Sequence, residues 1–179
     1  MRKLIESTFI TTDGVLSSPE KWGAPYWDEE HSSYAAELLG EADALLLGRQ
    51  TYEGFAATWP HRDGDDYSKR INALPKYVAS RTLIGTETAW NATVIKGDVA
   101  EEVARIKKEP GKNLLKFGTG ELDRTLIEHG LVDEFHLWMF PVIAGRGQRL
   151  LDGLDITHLE RLRTREFANG ITVMVFGPK

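Results

Sequence analysis

The sequence predicts an α/β domain with a mixed, mostly parallel central sheet flanked by helices and a C-terminal antiparallel hairpin. Three observations predict it. Apolar runs of strand length, such as Ala44-Leu45-Leu46-Leu47, alternate with segments of helical spacing, such as Tyr34, Ala35, Leu38 and Leu39. Capping signals separate them, as where Asp98 precedes Val99, Val103 and Ile106 with Glu101 at the third helical position. Finally, Asn169-Gly170 lies between two strand-like runs, the strongest short-range hairpin signal in the chain. A length of 179 residues suits one full-sized core, so a single domain over residues 1–179 is expected.

In chain order, Leu4, Ile5, Ser7, Phe9 and Ile10 form a first strand that ends at Thr11-Thr12-Asp13-Gly14, where Asp-Gly marks a turn. A long loop follows, broken by Pro19, Gly23 and Pro25. Its Trp22, Tyr26 and Trp27 either wall a flat ligand or staple the loop to the core or to a subunit interface. A helix runs from Asp28 to Gly40, where glycine suits a left-handed cap. The strand Ala44–Leu47 ends at Gly48-Arg49-Gln50-Thr51, and Tyr52, Phe55 and Trp59 have the spacing of a core-facing helix up to Pro60. A charged surface loop from His61 to Lys69 and a short helix lead to a strand at Lys76–Ala79, followed by Ser80-Arg81-Thr82. Basic residues flanked by hydroxyls thus follow two successive strands. Thr93-Val94-Ile95 is a short strand, and the helix capped by Asp98 ends at Pro110-Gly111.

Asn113 to Phe117 is a strand that breaks at Gly118-Thr119-Gly120-Glu121, after which Leu122, Leu126 and Ile127 open a helix. Glycines let backbone approach a ligand, and unpaired N–H groups at a helix N-terminus favour phosphate. The same pattern is also that of an ordinary strand-to-helix turn. Leu131 to Phe140 is a strand with Phe135, Leu137 and Met139 on one side and His136, Trp138 and Phe140 on the other. Pro141 to Gly147 then turns the chain. In the hairpin, Arg161, Arg163 and Arg165 alternate along one face, either solvated or meeting an anionic ligand or a partner.

Hydrophobic content of 41%, charged content of 27% and a net charge of -5 describe a globular chain without the basic excess of a nucleic-acid binder. The absence of cysteine removes disulfides and thiolate chemistry. No signal-peptide or membrane-length apolar run appears, so a cytoplasmic protein with no membrane role is expected. The five histidines show no paired metal spacing, and no metal is expected.

Four features in order, Asp-Gly after the first strand, Gly-Arg-x-Thr after the second, Ser-Arg-Thr after the third and Gly-Thr-Gly before a helix, resemble the dihydrofolate-reductase-like superfamily. The stretches Leu131-Val132-Asp133-Glu134 and Pro141-Val142-Ile143-Ala144-Gly145-x-Gly147 resemble especially the C-terminal reductase domain of the bifunctional riboflavin-biosynthesis deaminase-reductase. The resemblance spans nearly the whole chain and implies an NADPH-dependent reductase whose nucleotide lies across the C-terminal ends of the strands. It places Gly48, Arg49 and Thr51 along the phosphates, Ser80, Arg81 and Thr82 at the adenosine 2′-phosphate, and Gly118, Thr119, Gly120 and Glu121 at the diphosphate. It also implies a homodimer acting on a small molecule, with the apolar face around Trp138 as a compatible interface.

Asp13 is the acid chosen to orient substrate or relay a proton, though a carboxylate there also makes a turn with its own backbone. Dihydrofolate reductases carry an acidic residue early in the first helix. Here that region holds Ser32 and Ser33, with Glu29 and Glu30 nearby, which argues against folate. The riboflavin reductases commonly carry an acid before the glycine turn and a basic residue after Asp-Gly, where this chain has Phe117 and Val15. A small heterocyclic or carbonyl compound is the expected substrate. A dihydrofolate reductase, and a non-catalytic nucleotide-binding or structural protein on the same scaffold, are the alternatives.

Overall fold

The structure, a computed structural model, describes residues 1–83 and 88–179. Strands β1 (Leu4–Thr11), β2 (Ala42–Gly48), β3 (Lys76–Ala79), β4 (Ala92–Val94), β5 (Asn113–Phe117), β6 (Glu134–Phe140), β7 (Leu159–Glu166) and β8 (Thr172–Pro178) form one eight-stranded sheet. Their order is β4-β3-β2-β5-β1-β6-β8-β7, with β1 to β6 parallel and the last two strands antiparallel. The expected class, a mixed and mostly parallel sheet flanked by helices with a terminal antiparallel hairpin, is the one found.

The alternation of the central strands divides the core. Leu45 and Leu47 face helices α2 (Glu29–Glu41), α3 (Arg49–Ala56) and α4 (Asp66–Ala73) through Leu38, Leu39, Tyr52 and Ile71. Ala44 and Leu46 face α5 (Val99–Lys108) and α6 (Glu121–Glu128) through Val103, Ile106 and Leu126. A parallel strand covered on both faces must be apolar on both, which is why Ala44–Leu47 is continuous in sequence. A four-residue helix, α1 (Pro19–Trp22), precedes α2 in the long first loop.

Several expectations change. Gly40 does not cap α2 but lies inside it, because the helix runs on to Glu41 and passes directly into β2. The strand expected from Leu131 begins at Glu134, since Leu131 and Val132 are spent covering α5 and α6. Of the arginines of β7, Arg163 and Arg165 share one face as expected, but the pairing shifts between Arg161 and Arg163, a bulge that separates Arg161 from them. Arg163 reaches Glu134 at 2.8 Å, and Arg165 reaches Glu37 at 2.9 Å. Trp138 is not available to a partner, because it is 1% exposed beneath α2 and donates to Ser7 Oγ at 3.1 Å. Among the described residues, no helix is long and apolar enough to cross a membrane.

Glu134 ties the hairpin to the sheet. Its carboxylate accepts from Lys3 Nζ at 2.8 Å, His136 Nε2 at 2.9 Å and Arg163 Nη2 at 2.8 Å. Burial alone would raise its pKa, but these donors together hold it at about 2, below the ordinary 4.5. The stabilisation is therefore full above about 4.5 and is lost as pH falls toward 2. Acid titration of chemical stability should show a slope of up to about 1.4 kcal/mol per pH unit in that window from this group. Glu134→Gln should flatten it, and an unchanged acid limb would rule out Glu134 as its source.

Candidate functional site at the switch point of the sheet

All parallel strands end on one edge, so the residues after β1, β2, β3, β5 and β6 are neighbours there. The chain leaves β2 toward the α3 side of the sheet and leaves β5 toward the α6 side, although β2 and β5 are adjacent. Such a reversal opens a crevice at the C-terminal ends of the two strands, where α/β proteins bind ligands.

Two helix N-termini meet that crevice, and both have glycine at the cap. Gly48 precedes α3 with no side-chain cap and no acidic residue in the first turn, which leaves the N–H groups of that turn to a ligand. Gly118 holds φ of +71°, and a Cβ on it would lie 2.9 Å from Thr51 Oγ1. The Gly-Thr-Gly turn and the Gly-Arg-x-Thr turn are therefore in contact. Arg49 Nη1 donates to Thr82 Oγ1 at 2.9 Å, which joins the third motif to the second. Ser80 Oγ accepts from the N–H groups of Thr82 and Leu83 at 3.2 and 3.0 Å, shaping the turn that leaves Arg81 exposed.

Within the Gly-Thr-Gly turn the donors divide. The N–H of Gly120 is already committed to Asp123 Oδ2 at 2.7 Å, which removes it from phosphate binding. Glu121 is exposed at the first position of α6, so only its backbone suits an anion; its carboxylate opposes one. Thr119 is half-buried and turns its hydroxyl inward to Thr8 Oγ1 at 2.6 Å and Glu6 Oε1 at 3.0 Å.

On the β1 side of this turn a cleft of about 490 Å³ is lined by Leu16, Thr119, Gly120, Arg124, Gly147 and Arg149, among others. Its far wall is made by two segments that zip together. Leu16 N–H donates to Gln148 O at 2.9 Å, Leu150 N–H to Gly14 O at 3.1 Å, and Val15 bridges to Arg149. Gly147 is required there, because a Cβ would meet Ser17 Oγ and Val15 Cγ1, each at 2.5 Å. Arg124 and Arg149 are exposed and, among the described residues, donate only to the backbone carbonyls of Asp152 and Asp13 respectively. Both guanidiniums therefore keep donors for a ligand. Sequence reading missed these two arginines, and the one available signal was the Gly145-x-Gly147 turn two residues before Arg149.

Asp13 lies at this edge, but its carboxylate is a fastener. It accepts from Thr11 Oγ1 at 2.6 Å and from the N–H groups of Ala144 at 3.1 Å and Gly145 at 2.8 Å. Those hydrogen bonds lower its pKa to about 2, so it is an anion at neutral pH and holds no proton to relay. The residue expected to orient substrate or relay a proton is thus a carboxylate engaged in fastening the loop. Glu30 is likewise placed outside the cleft, where its Oε2 accepts from Ala168 N–H at 2.7 Å and pins the hairpin turn. Trp22 and Tyr26 staple the first loop by packing on Phe140 at ring distances of 5.2 and 5.8 Å. The described residues contain no cluster of metal-ligating side chains.

Residues 2–173 match the model of the RibD C-terminal domain family. The chain belongs to that family. It is 31% identical to the uncharacterized protein YyaP of Bacillus subtilis (strain 168), over 98% of this chain and 94% of that protein. YwjB of the same strain is 24% identical, over 95% of each. Among solved structures, a putative riboflavin biosynthesis protein from Shewanella sp. PV-4 superposes with a TM-score of 0.75 at 18% identity, over 99% of both chains. The diaminohydroxyphosphoribosylaminopyrimidine deaminase/5-amino-6-(5-phosphoribosylamino)uracil reductase of Thermotoga maritima gives a TM-score of 0.67 at 13% identity. That superposition covers 99% of this RibD C-terminal domain chain and 57% of the Thermotoga protein. At such identities the likeness to solved structures establishes the fold, and the family match establishes a reductase-like domain.

Proposed function

We propose that this protein is an NADPH-dependent reductase that delivers hydride to a small heterocyclic or carbonyl substrate. The observation that carries the reading is the joining of three donor-rich turns at the switch point, through Arg49 to Thr82 and Gly118 to Thr51. The residues suit a phosphorylated dinucleotide. The uncapped first turn of α3 and the Gly118–Thr119 backbone would take the diphosphate, with Arg49 and Thr51 beside it. Arg81, exposed and flanked by hydroxyls, offers the planar fork of donors that a 2′-phosphate accepts.

When bound, the nicotinamide supplies the hydride. This chain's share is to hold the acceptor in the adjoining cleft, where Arg124 and Arg149 fix an anionic or carbonyl-bearing substrate and the fastened 13–17 and 144–150 segments form a rigid wall. The absence of a carboxylate at Ser32 and Ser33, with Glu30 spent on the hairpin, favours this over dihydrofolate reduction.

Thermal unfolding with each nucleotide separately tests the reading. NADPH at about 100 times its dissociation constant adds ~2.7 kcal/mol, a rise of roughly 5–10 °C for a chain of this size. Arg81→Ala should abolish the preference for NADPH over NADH while leaving NADH binding intact. No shift with either nucleotide would favour the non-catalytic alternative, and an unaltered preference in Arg81→Ala would remove that residue from the 2′-phosphate.

We also propose that two copies pair in solution. Every residue of the edge strand β7 is exposed, and its outer edge leaves backbone donors and acceptors for a second chain. Sedimentation should give twice the chain mass, and a monomer at micromolar concentration would refute the pairing.

A further inference from the structure

Beneath the Gly118–Gly120 turn lies a group of charges that nucleotide binding leaves unexplained. Glu6 from β1, Lys116 from β5 and Asp123 from α6 are each no more than 2% exposed. One ammonium serves two carboxylates: Lys116 Nζ is 3.0 Å from Glu6 Oε2 and 2.8 Å from Asp123 Oδ1. Among the described residues, those same two oxygens nevertheless form no hydrogen bond. The remaining oxygens are well served. Glu6 Oε1 accepts from Thr8 Oγ1 at 2.8 Å and Thr119 Oγ1 at 3.0 Å, while Asp123 Oδ2 accepts from Gly120 N–H at 2.7 Å and Lys116 Nζ at 2.9 Å.

Two orphan carboxylate oxygens in one dry place call for a proton. The Glu6 and Asp123 carboxyl groups converge on the same ammonium, so a hydrogen on one relieves their repulsion and leaves a single negative charge for Lys116. Burial pushes the Glu6 carboxyl up to about 8 against the pull of Lys116, and the Asp123 charge reinforces the rise. Asp123 holds the two ionic or backbone donors, so Glu6 is the protonated partner at neutral pH. The neighbouring strand β6 sets Phe135 opposite Glu6.

We propose that Glu6 and Asp123 share a proton beneath the turn and that the Thr119 hydroxyl relays it to a substrate in the cleft. The proposal deepens the reductase reading and rests on it. Thr119 is placed for the task, since it lines the cleft while its hydroxyl bonds inward to Glu6. Reduction of a C=N or C=O bond adds a hydride to carbon, supplied by the reduced nicotinamide, and a proton to nitrogen or oxygen. The Thr119 O–H bond breaks toward that heteroatom as Thr119 Oγ1 takes the Glu6 proton, which a rotation about Cγ–Cδ has brought to Oε1. Glu6 is left as carboxylate and regains a proton from water once product leaves. Asp13, ionised down to about 2, has no proton to give.

Infrared spectroscopy of the whole protein without nucleotide tests both halves. A protonated-carboxyl band should persist at neutral pH, fade near 8 and be absent from Glu6→Gln. An isotope label in the glutamate carboxyls gives the same assignment where that variant folds poorly. On transfer to deuterated water the band should shift quickly in the parent protein, more slowly by on the order of tenfold in Thr119→Val, and quickly again in Thr119→Ser. No protonated carboxyl at neutral pH overturns the shared proton, and exchange in Thr119→Val as fast as in the parent overturns the relay. Neither readout needs nucleotide, so failure here is distinct from failure of NADPH to stabilise the fold.

Discussion

Lys116→Met should destabilise the protein by about 3–5 kcal/mol, the cost of leaving buried carboxylate without its counter-charge. In the parent, burial disfavours the ammonium, yet Glu6 and Asp123 more than offset it and hold the Lys116 pKa above the ordinary lysine value. The ammonium also donates to Gly118 O, so its loss frees the turn as well as the charges. Methionine fills comparable space with no charge. Chemical denaturation measures the loss, and pairing Lys116→Met with Asp123→Asn should recover a large part of it, because with Glu6 protonated it is Asp123 whose charge the ammonium balances, and the Asn oxygen can still accept from Gly120 N–H. Additive losses in the double variant would show that the three groups do not form one unit.

That cluster also marks where sequence reading stopped. Strands, helices and the C-terminal hairpin were legible because their signals are local: the apolar run of β2, the Asp98 cap whose carboxylate accepts from Glu101 N–H at 2.9 Å, and the Asn169-Gly170 turn with Gly170 at φ of +92°. The three turns at the sheet edge were legible for the same reason, each being a short motif after a strand. What those motifs do to one another was not. Asp13 closes a hydrogen-bonded turn with Thr11 as its sequence suggests, the bond that lowers its pKa most, but the N–H groups of Ala144 and Gly145 that add to it come from far along the chain.

Glu6 and Lys116 did leave a trace. Each interrupts an apolar run, Leu4-Ile5 before one and Leu114-Leu115 before the other, with opposite charge, and the strand register sets them side by side. Two buried parallel strands tolerate such residues only as partners. The third member, Asp123, looks from sequence like an acid favouring the N-terminus of α6, and only the fold shows that it turns inward to 1% exposure. Trp138 was misjudged for a related reason. Alternation along β6 separates its two faces correctly but does not say which face α2 covers.

Gly118→Val should abolish the thermal shift produced by NADPH and lower stability by roughly 2–3 kcal/mol. The backbone contributes most of it. A φ of +71° is the left-handed region, which costs an L-residue about 1–2 kcal/mol and a β-branched one more. The rest comes from the Cβ position 2.9 Å from Thr51 Oγ1, a contact that rotation of the threonine relieves only by turning its hydroxyl away from the crevice. Adding Thr51→Ala removes that contact but not the φ penalty, so the double variant should regain under half of the stability. It should regain none of the nucleotide response, because the valine side chain still stands between the α3 N-terminus and the Gly-Thr-Gly turn. Full nucleotide stabilisation in Gly118→Val would separate the two turns functionally and remove the diphosphate from the place where β2 and β5 part.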